Sequence, residues 1–157
     1  MGAPATLNKQ PIFTATPIAI CIGTDIAKNI SSTYLTTDVT KIYTDATTYG
    51  SMINKVTVNA NAVKENTISG KRVDLYISNT EDSSLYQLYA SKYMTGLDPI
   101  TTGSTIPSVV FEFPTGLVLS PGKQLALSAT ENSDSSGFSG DLVSIIVEGG
   151  TYDLATA

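Results

Sequence analysis

Apolar and polar residues alternate in five separate stretches of the chain. Val56, Val58, Ala60 and Ala62 alternate with Thr57, Asn59 and Asn61, and Val73, Leu75 and Ile77 alternate with Arg72, Asp74 and Tyr76. Val109, Phe111 and Phe113 flank Val110 and Glu112, and Leu125, Leu127 and Ala129 flank Ala126 and Ser128. Val143, Ile145 and Val147 interleave with Ser144, Ile146 and Glu148. A period of two sends one set of side chains to a core face and the other outward. Each stretch is therefore predicted as a strand with one wet face, as in antiparallel sheets. Weaker strands are predicted over Pro17–Gly23, on an edge because of Pro17, and over Val39–Asp45. Leu85–Tyr93 has the length of a short helix, but its tyrosines favour a strand. The sum is about eight strands. The predicted fold is all-β, an antiparallel β-sandwich or jelly roll.

Turn residues fall between these runs. Thr47–Gly50, Ile68–Gly70, Asn79–Ser84, Gly96–Pro107, Ser120–Gly122 and Asn132–Gly140 read as connections. Gly149 and Gly150 open no helix, so they suit a bulge or a tight strand exit rather than a phosphate loop. Residues 1–11 read as a flexible N-terminal arm and residues 12–157 as a single β-sandwich domain. No internal repeat divides the chain.

Composition narrows the function more than the fold. Nine basic against 14 acidic residues leave a net charge of −5, which disfavours nucleic-acid binding. Histidine is absent, removing the commonest general base and zinc ligand. One cysteine, Cys21, excludes an internal disulfide, and its place between Ile20 and Ile22 predicts a packed core thiol. Charged residues are 15% of the chain, and Ser and Thr fill the deficit at about a quarter of it. No secretory signal is visible, and the longest early apolar run, Pro17–Ile22, is far too short to span a bilayer.

The acids Glu81, Asp82, Asp134 and Asp141 read as solvated loop residues, with no metal expected. No nucleophile elbow occurs, so neither an enzyme nor a cofactor is expected. Tyr76, Tyr86, Tyr89 and Tyr93 suit either cross-strand packing or a contact with a sugar or protein. Phe138 lies alone in a polar loop, which makes that loop, Asp134 to Asp141, a candidate contact element. Ile12 and Phe13, apolar residues ahead of the first strand, are the other candidates.

The order of segments carries one further signal. Lys9–Phe13 leads to Thr16–Ala19, then Val39–Ala46 and Tyr49–Val56. Val73–Ile77, Phe111–Pro114, Leu117–Gly122 and Leu125–Glu131 follow, and Ile146–Asp153 closes the chain. In this order the segments resemble the jelly-roll head-decoration, or cement, proteins of tailed bacteriophages. The resemblance implies a homotrimer on the outer capsid surface, bound to the major capsid protein of the same virion at three-fold or quasi-three-fold positions. It implies synthesis in the host cytoplasm and no membrane contact. A tail or fibre receptor-binding knob and a carbohydrate-binding β-sandwich module are the alternatives.

Overall fold

The computed structural model describes residues 14–23, 26–28, 35–60, 71–78, 84–94, 108–130 and 143–152. These form ten strands: β1 (Thr14–Gly23), β2 (Ala27–Lys28), β3 (Leu35–Thr36), β4 (Thr40–Thr44), β5 (Ser51–Ala60), β6 (Lys71–Ser78), β7 (Tyr86–Met94), β8 (Ser108–Leu119), β9 (Gln124–Thr130) and β10 (Val143–Tyr152). Eight have five or more residues, the number predicted, and two are two-residue additions with no period to announce them. The segment predicted over Leu85–Tyr93 resolves as strand over Tyr86–Met94, and β1 starts three residues before Pro17.

The eight long strands pair as a nested ribbon. The first pairs with the eighth (β1 with β10), the second with the seventh (β4 with β9), the third with the sixth (β5 with β8) and the fourth with the fifth (β6 with β7), all antiparallel. The ribbon is then rolled. β10 joins β5 and β9 joins β6, giving one sheet of order β1-β10-β5-β8 and a second that contains β9-β6-β7. That nesting and rolling is the jelly-roll order. β4 and the short parallel β2 share the free side of β9, and β3 touches the start of β7. β1, which carries Pro17, is an edge strand as predicted.

The registers convert the alternation into continuous apolar rows. Ile20, Val147, Val56 and Phe111 lie side by side across the first sheet, and Ile22, Ile145, Val58 and Val109 form the next row. Facing them from the second sheet are Val73, Leu75, Leu125, Leu127 and Ala129. Each strand supplies every second residue, so the core forms without a helix.

The second sheet departs from one expectation. β6 and β9 have no wet face over most of their length. Asp74, Tyr76, Ala126 and Ser128 are as fully buried as Val73 and Leu75. Tyr76, Tyr86 and Ala126 form a second apolar cluster on the outer side, with Val39 and Leu88 packed against it. The residues before β4 thus cover a face that alternation alone marks as solvated.

Cys21 also departs from expectation, being exposed rather than packed. In β1 the inward positions are Ile18, Ile20 and Ile22, and strict period two turns Cys21 out.

The bulge expected at Gly149 and Gly150 lies opposite them instead: its extra residue is Asn54 of β5, while Gly149 and Gly150 stay paired with Ile53 and Met52. The register of β10 on β5 shifts between Glu148 and Gly149. A Cβ on Gly149 would meet the Met52 carbonyl oxygen and come within 2.9 Å of Ile53 Cα, both backbone atoms that cannot swing aside. Ser120–Lys123 is a type II turn, with Pro121 at its second position and Gly122 at φ 81° in its third.

Gly149→Ala is expected to destabilise the fold by about 1–3 kcal/mol through overpacking at the bulge. Gly23→Ala, with nothing within 4 Å of its Cβ position, is expected to change stability by no more than about 0.5 kcal/mol. Urea unfolding of the two variants beside the parent chain checks both.

Candidate contact surfaces

The outer face of the four-stranded sheet can be read row by row from the registers. The row Gly23, Ser144, Asn59 and Ser108 is small and polar, with Asn59 Nδ2 3.5 Å from Ser144 Oγ. The next row, Cys21, Ile146, Thr57 and Val110, is uncharged and mainly apolar. Together they make a two-row patch across all four strands with no ionisable residue except the thiol. The third row changes character: Ala19, Glu148, Lys55 and Glu112. Lys55 Nζ lies 2.7 Å from Glu148 Oε2. The hydrogen bond and charge of Glu148, with Glu112 adding, hold the Lys55 ammonium above its ordinary pKa.

The four tyrosines divide. Tyr76 and Tyr86 are buried, and the Tyr86 hydroxyl donates to Gln124 Oε1. Tyr89 and Tyr93 are exposed on β7. Tyr89 meets Phe113 of β8 edge to face, with ring centroids 5.8 Å apart. Beside it, Lys92 donates to the Val110 carbonyl at 2.6 Å and lies over the Phe111 ring. These contacts close the gap between the edges of the two sheets.

Two buried polar sites hold the frame of these surfaces. Arg72 clasps Asp74 with both arms, Nε to Oδ1 and Nη2 to Oδ2, each at 2.8 Å. Ser91 Oγ of the neighbouring strand donates to Oδ1 at 2.5 Å. At one end of the sandwich, buried Asp45 accepts from the Thr47 amide at 3.1 Å and the Thr47 hydroxyl at 2.7 Å. The Asp45 backbone pairs with Lys123 and Gly122 at 2.9 Å, fastening the β4–β5 connection to the β8–β9 turn.

All five residues predicted as contacts, Ile12, Phe13, Asp134, Phe138 and Asp141, lie outside the described residues, as do the arm and most of the long loops. The sequence reading missed the uncharged patch and the charged row beside it. The signal was present in the outward positions of the alternating runs, but only the register shows that they line up. Among the described residues, no three His, Cys, Asp or Glu side chains group as a metal site, and no helix is long and apolar enough to cross a membrane. No protein-family model matches the chain, and no curated protein does either.

Arg72→Met strands the buried Asp74 carboxylate and is expected to cost about 3–5 kcal/mol, whereas Arg72→Met with Asp74→Leu recovers most of that loss. Chemical denaturation of both variants reads the difference. A second prediction concerns alkali. Burial, with the negative Asp45 adding and the Ser51 hydrogen bond opposing, raises the Tyr43 phenol above its ordinary 10.0. The folded state therefore favours the protonated phenol. That contribution is complete below about pH 10 and is lost as pH rises through the raised value. The melting temperature of Tyr43→Phe is expected to fall less steeply than that of the parent chain above pH 10, measured by scanning calorimetry across the alkaline range.

Proposed function

We propose that the protein is a non-enzymatic virion component that decorates the outer surface of a phage capsid and stabilises it by binding the major capsid protein. The order of sequence segments supports this reading, and so does the jelly-roll strand order. The observation that carries it is the uncharged two-row patch centred on Thr57 and Ile146. A sheet face whose outward side chains carry no charge, with the Lys92 ammonium only at its β8 edge on the Val110 carbonyl, can seat its centre on another protein surface without desolvating an ion. The patch spans all four strands, so it is as rigid as the sheet.

The physical work of such a protein is linkage. It binds the assembled lattice and not the free shell subunit, so it stabilises the lattice by mass action. A homotrimer presents three such patches, and avidity then multiplies a modest single affinity. Such a role needs no cofactor. Ile12, Phe13 and the loop holding Asp134, Phe138 and Asp141 are proposed as additional contacts to the shell or to a neighbouring copy.

Quantitative mass spectrometry of purified particles tests the proposal. One chain per shell subunit, or a fixed large fraction of that, is expected. A handful of copies per particle would sink the reading in favour of a tail or fibre knob. Thr57→Glu places a charge in the middle of the patch and is expected to lower occupancy on stripped shells at least about tenfold, a loss of about 1.4 kcal/mol. The melting temperature of the isolated chain should stay unchanged.

A further inference from the structure

The first sheet is interrupted at one level, and the interruption is shared by three strands. Between β10 and β5 the register passes from Glu148 opposite Lys55 to Gly149 opposite Ile53. Between β5 and β8 it passes from Lys55 opposite Glu112 to Ile53 opposite Leu117. Asn54 is therefore skipped by both neighbours. On the β8 side, Phe113, Pro114, Thr115 and Gly116 occupy the space opposite it. One bulge re-aims a side chain and bends its strand. Two coincident bulges on either side of one residue open the sheet surface. The result is an open groove of about 730 Å³ on the outer face, lined by Ile18, Asn54, Lys55, Glu112, Phe113, Pro114, Glu148 and Gly149.

The local sequence maintains this shape. Pro114 brings no backbone N–H, so leaving the ladder orphans no donor there. Gly116 adopts φ 78°, which most side chains resist. Gly149 forms part of the wall, where backbone approaches backbone too closely for a Cβ. Tyr89, reaching across from the other sheet, meets the Phe113 ring edge to face.

The lining has a definite chemistry. Asn54 offers an amide donor and an amide acceptor, Lys55 a cationic donor, and Glu112 and Glu148 four carboxylate oxygens. Lys55 and Glu148 are 39% and 43% exposed, so a ligand can reach them. Phe113 and Pro114 supply an apolar wall beside these groups, and Ile18, which also borders the groove, is an inward core residue only 9% exposed. A pyranose ring matches this pattern: its hydroxyls both donate and accept, and its C–H face is apolar. Two carboxylates against one ammonium leave the groove net negative, in a chain of net charge −5. Anionic ligands are repelled, and an apolar ligand would strip water from charged groups in an open site.

We propose that this groove, built where Asn54 is bulged out of both its ladders, is a binding site for a neutral glycan. It is independent of the capsid reading, because it rests on the groove alone.

The test uses the full chain, labelled and applied to an array carrying neutral and anionic glycans together with a lysine-rich peptide. Binding to neutral glycans at millimolar to micromolar strength is expected. Asn54→Ala is expected to weaken it at least tenfold, because Asn54 is exposed and outside both ladders, so its loss leaves the fold intact. Amide chemical-shift changes on titration with the best neutral glycan are expected at Asn54, Lys55, Phe113 and Gly149. No binding to any neutral glycan, binding only to anionic glycans or to the peptide, or neutral binding that Asn54→Ala leaves unchanged would each overturn the proposal. The particle copy number does not enter any of these outcomes.

Discussion

The pairing of β10 with β5 is the constraint on which the four-stranded sheet depends. β10 is the last strand in the chain, yet it lies inside the sheet, between β1 and β5. Without it β1 has no partner, and the apolar rows through Val56 and Val58 are cut in half. The jelly-roll order places every one of the four nested pairs, apart from the innermost, between segments far apart in the chain. Loop-closure entropy must be met before such contacts contribute. A fold of this kind is held by the completeness of its pairing more than by any local element. Gly149 is the point where that pairing is tightest, since the backbone of β5 fills the space a side chain would need.

The second sheet solves a different problem. Its central strands carry apolar residues on both faces, and among them a carboxylate, Asp74. A buried charge is tolerable only when paired and hydrogen-bonded. Arg72, two residues along the same strand, meets the requirement because i and i+2 share a face of a strand. Ser91, the cross-strand neighbour of Asp74, supplies a further donor. The pair contributes less to net stability than to specificity. A one-residue slip of β6 would send Asp74 into the apolar core and Leu75 to the outer side, and neither has a partner there.

Much of this was legible in the alternation. The inward sets of β6, β8, β9 and β10, and Val56 and Val58 of β5, were assigned correctly because each run keeps its period for at least five residues; Ala62 and the side chain of Ala60 lie outside the described residues. The edge position of β1 followed from Pro17, whereas the two glycines marked only the level of the bulge, whose extra residue is Asn54 on the neighbouring strand. What alternation cannot supply is the environment of the outward set. Tyr76 and Glu148 occupy equivalent positions in their own strands, yet one is buried under Val39 and Leu88 and the other faces a groove. Cys21 misled for the same reason. Its neighbours Ile20 and Ile22 are apolar, and the reading weighed the neighbours above the period. The groove needed the register of three strands at once. Pro114 and Gly116 inside an otherwise regular β8 were its only trace in the sequence.

The uncharged patch and the groove lie on one sheet face, and their spacing relates the two proposals. Along β5, Thr57 and Lys55 are two residues apart, a distance of about 7 Å at the usual strand rise. A protein surface seated on the row through Thr57 therefore ends against the row of Glu148, Lys55 and Glu112. That row separates the two regions by charge as well as by distance. A partner that buried it would have to desolvate two carboxylates and an ammonium whose close ion pair, Lys55 with Glu148, is solvent-exposed. The cheaper arrangement stops the protein contact at the charged row and leaves the groove open to solvent. The same three residues thus set the border of one surface and the polar wall of the other. The chain can present a flat face inward and a polar groove at its margin without moving a strand.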